Sequence, residues 1–264
     1  MMVLLLSGVF LFGLRAYGAA LSYEETTATL VKEMTPEALA EFQAKEWAQT
    51  LSFGLYKNKK REEIRRLQEK QAFEKQKSMR MMRYSMGLMG LVLLGYFLLS
   101  LRAFTFFAAF GAGIMLLFGL YAPILMVTIH KEVAYLGDVV LSFESKSVLG
   151  SVEKLFDHGD GVVAGVIVLF SVLIPTLKIL AMLFVAIFMQ RGFAHSIVKF
   201  FKMIGKWSMV DVFVVATFLV YLASDKGDIS RAEVEVGLYF FLAYVIVSML
   251  VSLSADRMLH RLKS

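Results

Sequence analysis

Five long apolar runs constrain this chain more than any other feature. Each approaches the twenty or so residues that an α-helix needs to cross the hydrocarbon core of a bilayer. The runs cover residues 84–101, 104–129, 161–189, 207–223 and 234–253. With 58% hydrophobic residues and a mean hydropathy of +0.66, the sequence predicts an all-α integral membrane protein, a polytopic helical bundle, and not a soluble domain.

The N-terminal third divides into three predicted parts. Residues 1–20 are apolar and end in small residues, which is typical of a signal peptide, although an uncleaved first membrane helix fits them too. Residues 21–83 are a charged segment that we expect to be helical and outside the membrane, because Glu, Lys, Arg, Gln, Ala and Leu dominate it. Residues 84–103 are predicted to form an additional membrane helix before a tight connection at Arg102.

Charge in the loops predicts the orientation of the bundle. The link between the third and fourth spans holds Arg191, Lys199, Lys202 and Lys206 and no acid, and the C-terminal tail is basic as well. Basic loops usually remain in the cytoplasm. We therefore expect a cytoplasmic C-terminus, and we place residues 130–160, 224–233 and 21–83 on the outer side.

The first outer link is predicted to contain its own small cap. Residues 133–136 and 139–143 are rich in β-formers and flank Gly137 and Asp138, a pattern that predicts a hairpin. Residues 147–156 have the periodicity of a short amphipathic helix. The link also contains histidine and aspartate, but their spacing matches no metal site, and there is no cysteine. We expect neither a metal nor a cofactor.

Two charges inside the apolar runs are the main candidates for function. Lys178 is the sole charge between Asp160 and Arg191, and Asp211 lies one turn into the next span. Because an ionisable residue in the membrane usually has a partner and a role, we predict a pair that exchanges a proton, with a static ion pair as the alternative. Three serines are predicted to extend this polar network, namely Ser171, Ser208 and Ser248.

Three further residues are predicted to shape the helices around this network. Pro123 and Pro175 are interpreted as kinks, because proline removes a backbone donor. Trp207 is interpreted as an anchor at the membrane interface.

Three blocks of sequence resemble the paraquat-inducible protein A family. They are Leu-Tyr-Ala-Pro-Ile-Leu at 120–125, Phe-Ser-Val-Leu-Ile-Pro-Thr-Leu-Lys at 170–178 and Trp-Ser-Met-Val-Asp-Val-Phe-Val-Val-Ala at 207–216. The resemblance covers residues 104–264, which correspond to one four-helix unit of the family. It implies a bacterial inner-membrane protein that works with a periplasmic mammalian-cell-entry domain protein to move lipids between membranes.

Two other functions remain open from the residues themselves. One is a proton-coupled transporter of a small solute, and the other is a membrane scaffold without transport. An enzyme is not expected, because no catalytic or nucleotide-binding motif occurs. Nucleic acid is not an expected partner, since no recognition module accompanies the basic run at 57–83.

Overall fold

The computed structural model describes residues 1–35, 59–133, 137–187 and 230–261. The described helices are α1 (Met2–Glu33), α2 (Lys59–Leu94), α3 (Leu101–Tyr121), α4 (Val148–Asp157), α5 (Gly161–Ile187) and α6 (Val236–Arg261). Three strands accompany them, β1 (Leu125–Val133), β2 (Gly137–Lys146) and β3 (Ser230–Val234). Within α5, the segment Val168–Leu173 is a π-helix.

Four of the described helices are long and apolar enough to cross a membrane. They are α1, α3, α5 and the part of α6 that covers Val236–Ala255. The chain is therefore a multi-pass helical membrane protein, as the apolar runs predicted. The predicted fourth span, residues 207–223, lies outside the described residues.

The bundle is built from close helix pairs. α1 packs along α2, while α3 packs against both α5 and α6. Glycine allows the closest of these approaches, because a Cβ at Gly119 of α3 would lie 2.8 Å from the backbone nitrogen of Phe241 in α6. In lipid the hydrophobic effect contributes little between helices, so such van der Waals contacts carry the packing.

A three-stranded antiparallel sheet, in the order β2-β1-β3, covers one end of the bundle. The two links that we predicted on the same side of the membrane therefore meet in one sheet. α4 follows β2 and is capped by Ser147, whose side-chain oxygen accepts a hydrogen bond from the Gly150 nitrogen. The predicted hairpin and short helix are confirmed, but the third strand was not predicted.

The boundaries of two predicted elements were wrong. The second apolar run was predicted to be helical as far as Ile129, but α3 ends at Tyr121 and residues from Leu125 onwards form β1. Pro123 lacks the donor that a helix needs, and β1 instead pairs with both β2 and β3. Gly137 and Asp138 were predicted to form the hairpin turn, but both belong to β2.

The charged segment and the apolar segment on either side of residue 83 belong to one helix. α2 runs without a break from Lys59 to Leu94 and is followed by a 3₁₀ turn at Gly95–Phe97. The helix is continuous because its residues favour helix on both sides of the change from charged to apolar sequence. Whether residues 1–20 are cleaved stays a prediction, but here they are the first five turns of α1, and Leu6, Val9 and Ala16 are buried in the core.

Side chains identify the two ends of the bundle. At the sheet end, the hydroxyl of Tyr23 in α1 donates to Glu233 of β3, and Lys75 of α2 forms an ion pair with the same carboxylate. At the opposite end, the Arg102 guanidinium donates to the carbonyls of Ala186 and Ile187 at 2.7 and 2.8 Å. Arg102 thereby ties the start of α3 to the last described residues of α5.

The opposite end has a second tie between helices. Arg257 of α6 donates to the hydroxyl of Tyr96 at 2.6 Å. Because Tyr96 follows α2 directly, α2 reaches from the sheet end to the far end of the bundle, and its second half lies alongside α6.

Candidate functional site

Lys178 is buried in the face that α5 presents to α3. Its exposed fraction is 7%, and it lies beside Pro175, Ile179 and Met182. These positions recur every three or four residues, so they form one face of the helix. The apolar surroundings make a charge at this position costly, which supports the prediction that the residue has a specific role.

The π-helical segment before Pro175 has a local cause. A proline cannot donate to the carbonyl four residues earlier, which here belongs to Ser171, and its ring crowds that turn. The chain responds with a wider turn, in which the Ile174 nitrogen donates to the Leu169 carbonyl. Such single wide turns are frequent at functional sites in helices. Ser171 is half-buried within this turn, on the face that leads to Lys178.

The rest of the predicted network is only partly described. Asp211, Ser208 and Trp207 lie outside the described residues, so contact between Lys178 and Asp211 stays a prediction. Ser248 is buried in α6, and its hydroxyl oxygen has no hydrogen-bond partner within the described part of the chain. The described residues thus provide a buried cation and a buried hydroxyl, each on a different helix.

Pro123 has a different role from the predicted kink in a membrane helix. It lies in the connection between α3 and β1, and its carbonyl accepts a hydrogen bond from the Gly237 nitrogen at 2.8 Å. The next carbonyl, of Ile124, accepts from the Glu235 nitrogen at 3.1 Å. These bonds satisfy backbone donors at the start of α6 and attach that helix to the connection between α3 and β1.

An apolar groove runs along the side of the bundle between α1, α3 and α5. We call it the lateral groove. Its volume is about 860 Å³, and it is lined by Val3, Leu6, Ser7, Phe10 and Leu11 of α1, Phe106, Phe107, Phe110, Gly113, Ile114 and Leu117 of α3, and Ile179 and Leu183 of α5. Several of these side chains remain exposed, including Leu11 at 56% and Phe110 at 51%. Within the described residues, the lateral groove is therefore an apolar cleft with exposed hydrophobic side chains along it.

The lateral groove and Lys178 belong to the same wall. Ile179 lines the groove, and the buried Lys178 is the preceding residue of the same helix. A change in the charge or packing of Lys178 would therefore act on a helix that forms one side of the groove. Sequence analysis did not locate the groove, because its three sides come from segments that are far apart in the chain.

A second buried charge was missed by sequence analysis. Glu235 precedes α6, is only 1% exposed, and neither of its carboxylate oxygens has a hydrogen-bond partner among the described residues. The nearby charges are those of Lys75, Glu233 and Glu24. The one available signal was the position of Glu235 directly before an apolar run, which by itself is common at the boundary of a membrane span.

Burial raises the pKa of Glu235 to about 7. Removal of the carboxylate from water is the largest cause, and the negative charges of Glu233 and Glu24 act in the same direction, whereas Lys75 lowers the pKa. The carboxyl group therefore titrates near neutral pH. It lies at the sheet end, just outside the membrane-spanning part of α6.

The fold and these features define a class: a multi-pass helical membrane protein that has, in its described part, an apolar lateral groove and two buried ionisable residues, Lys178 and Glu235. A sequence model described as Paraquat-inducible protein A matches residues 105–261, which is more than half of the 264-residue chain. The chain belongs to the paraquat-inducible protein A family. This confirms the resemblance carried by the three sequence blocks, and α1 and α2 lie outside the matched region.

Curated relatives come from two enteric bacteria. The intermembrane transport protein PqiA of Escherichia coli strain K12 is 29% identical over 126 residues, which are 45% of this chain and 30% of that relative. The protein of the same name from Shigella flexneri matches to the same extent. The match thus covers less than a third of the length of these relatives. No solved structure matches the chain.

Proposed function

We propose that this protein is a component of lipid transport between bacterial membranes, and that it holds a lipid in the lateral groove. The supporting observation is the groove itself, which is an apolar cleft about 860 Å³ in volume with exposed hydrophobic side chains along it. That volume is within the range of about 300–1,000 Å³ that is typical of small-molecule sites. The relatives named as intermembrane transport proteins support the same class of function.

Lys178 is proposed to make the width of the lateral groove depend on protonation. A lysine in low dielectric is easier to deprotonate, and an aspartate there is easier to protonate, so a buried pair of the two can exchange a proton when its surroundings change. In this proposal Asp211 is the partner, and Ser171, Ser208 and Ser248 complete the polar network. Neutralisation of the pair would allow α5 to move relative to α3 and so change the width of the groove.

The proposed location is the bacterial inner membrane, with the C-terminus in the cytoplasm and the sheet in the periplasm. This orientation is proposed because loops rich in lysine and arginine usually lie in the cytoplasm. A periplasmic mammalian-cell-entry domain protein is the proposed partner. The sheet end, with the helical hairpin of α1 and α2 that extends beyond it, is the surface on which such a partner would dock.

The proposed role of the lateral groove can be tested by a substitution that fills it with a larger side chain. Leu117 lies in the groove and is 46% exposed, whereas Ile246 of α6 is 52% exposed and lies outside it. We expect Leu117→Trp to abolish rescue of the outer-membrane barrier in a deletion strain, because the indole would occupy the space of an acyl chain. Ile246→Trp, at matched membrane abundance, should rescue fully.

The opposite results would reject the proposal. If Leu117→Trp is present at normal abundance and rescues as well as the unsubstituted protein, the groove is not the lipid path. A solute transporter would instead be indicated if rescue persisted and cells lost a proton-dependent uptake. Equal abundance of all variants with equal rescue would favour a scaffold.

A further inference from the structure

Two exposed arginines, Arg15 of α1 and Arg80 of α2, lie at the depth of the membrane spans. The depth follows from Tyr23 and Lys75, which both contact Glu233 just before α6 enters its apolar segment. At a rise of 1.5 Å per residue, Arg15 lies about 12 Å below Tyr23, and Arg80 lies about 8 Å below Lys75. Both arginines therefore belong to the half of the bundle next to the sheet.

The same two arginines lie on one side of the α1–α2 pair. The rings of Phe12 and Tyr84 are in edge contact, with their centroids 5.6 Å apart. Arg15 follows Phe12 by three residues, and Arg80 precedes Tyr84 by four, so each lies on the same face as its ring and about one turn away. Because α1 and α2 run in opposite directions, Arg15 and Arg80 both lie closer to the sheet than the two rings do.

An exposed arginine at this depth requires an anion. Arg15 and Arg80 form no ion pair with any other described residue, and an arginine within a span is unfavourable without a partner or access to the headgroup layer. A long side chain avoids much of this cost by reaching the headgroup layer. The anions in that layer are phosphates, and the planar guanidinium fork matches phosphate oxygens in pairs.

Arg15 also lies one helical turn from the lateral groove, whereas α2, which carries Arg80, contributes no residue to the groove lining. Leu11 lines the groove and precedes Arg15 by one turn of α1. α1 and α3 run in the same direction, since Leu6 approaches Gly111 and Gly13 approaches Phe118. Leu11, the groove residue of α1 nearest the sheet, is therefore followed one turn closer to the sheet by Arg15.

We propose that Arg15 and Arg80 bind the phosphate of a phospholipid whose acyl chain lies in the lateral groove, with its headgroup at the sheet end. This inference rests on the proposed function and adds the class of lipid and its orientation. Neither arginine lies in the region that matches the family model. The N-terminal hairpin would therefore contribute directly to lipid recognition in this chain.

The test uses two photoactivatable lipids with the full-length protein in detergent. One is phosphatidylglycerol with a diazirine in its acyl chain, and the other is diacylglycerol with the same chains and no phosphate. We expect phosphatidylglycerol to label groove peptides about tenfold more strongly than diacylglycerol. In Arg15→Gln/Arg80→Gln, its labelling should fall to the diacylglycerol level.

Matched variants make the result specific. Arg65→Gln/Arg66→Gln removes two exposed arginines from α2 at a height above the sheet contacts, and should leave labelling unchanged. Arg15→Lys/Arg80→Lys keeps the charge but not the fork, and should give intermediate labelling. If Arg15→Gln/Arg80→Gln aggregates in gel filtration, the test rests on Arg15→Lys/Arg80→Lys. Phosphatidylglycerol labelling of that lysine variant at the level of the unsubstituted protein would overturn the inference.

Failure of this inference can be distinguished from failure of the proposed function. If neither lipid labels the groove of the unsubstituted protein, the groove is not a lipid site and both proposals fall. If both lipids label equally and the glutamine variant changes nothing, the groove stands and the phosphate site falls. An intact mass that corresponds to loss of residues 1–20 would remove Arg15 and also overturn the site.

Discussion

Lys75 of α2 and Glu233 of β3 form an ion pair across 158 positions of sequence. The same carboxylate accepts a hydrogen bond from the hydroxyl of Tyr23 in α1 at 3.2 Å. The side chains of Lys75 and Glu233 are both half-buried, and each is 33% exposed. This relationship attaches the N-terminal helical hairpin, which lies outside the family match, to the sheet of the family unit.

We expect Lys75 and Glu233 to stabilise the protein cooperatively. Because the side chains are partly screened by solvent, the coupling free energy should be about 0.5–1 kcal/mol. A double-mutant cycle of Lys75→Met and Glu233→Gln, measured by thermal unfolding in detergent, gives this value. The exposed pair Lys154 and Glu144, 3.5 Å apart, is the control and should show coupling near zero. Strictly additive effects at Lys75 and Glu233 would contradict the assignment.

Glu235 should make stability fall as pH rises through the neutral range. Its pKa in the folded protein is raised from 4.5 to about 7, so between those values the folded state binds more protons than the unfolded state. The folded state is therefore favoured at acidic pH, and it loses up to about 3 kcal/mol as the pH rises from about 4.5 to about 7, with no further loss from this group above that.

Substitution of Glu235 isolates this effect. In Glu235→Gln, the unfolding temperature should change less between pH 5 and pH 8 than in the unsubstituted protein, and it should be higher at pH 8. Glu144→Gln, which changes an exposed carboxylate of β2, should retain the original pH profile. Parallel profiles for the unsubstituted protein and Glu235→Gln would show that this carboxyl group does not titrate as proposed.

Gly237 should tolerate no side chain. A Cβ at this position would lie 2.4 Å from the carbonyl oxygen of Ala122 and 2.6 Å from that of Pro123, and both are backbone atoms that cannot move aside. We expect Gly237→Ala to destabilise the protein by about 1–3 kcal/mol or more. The control is Gly90→Ala on α2, where no atom lies within 4 Å and a small stabilisation of about 0.5–1 kcal/mol is expected.

Lys178 and Asp211 should be required for function but not for abundance. We expect Lys178→Ala and Asp211→Asn each to abolish rescue of the outer-membrane barrier, while immunoblots show normal amounts in the membrane. Leu177→Ala, which changes an exposed neighbour of Lys178, should rescue fully. Loss of abundance would mean that the pair is structural, and full rescue would mean that it is dispensable.

Local sequence patterns predicted most of the elements. The lengths of the apolar runs identified α3, α5 and α6, and the β-formers around Gly137 identified a hairpin. The amphipathic periodicity of residues 147–156 identified α4, whose first turn is capped by Ser147 in the structure. Each of these signals acts over a few residues, so a sequence contains them in full.

The errors arose where a distant partner decided the structure. Residues 125–129 are as apolar as a membrane helix, and they form β1 because β2 and β3 lie on either side of them. Glu235 resembles an ordinary charge at the boundary of a span, and it is buried because α6 begins against the connection that follows α3. Neither partner is adjacent in sequence, so no local pattern carries the information.

The sequence by itself determined that this is a helical membrane protein and which family it belongs to. Hydrophobic length and residue type are sufficient for this, because the bilayer imposes the same requirement on every span. Only the tertiary structure decided which charges are buried, where the lateral groove opens and how the N-terminal hairpin is attached. These properties depend on contacts between segments that are remote in the chain, where packing and desolvation set the free energy of each group.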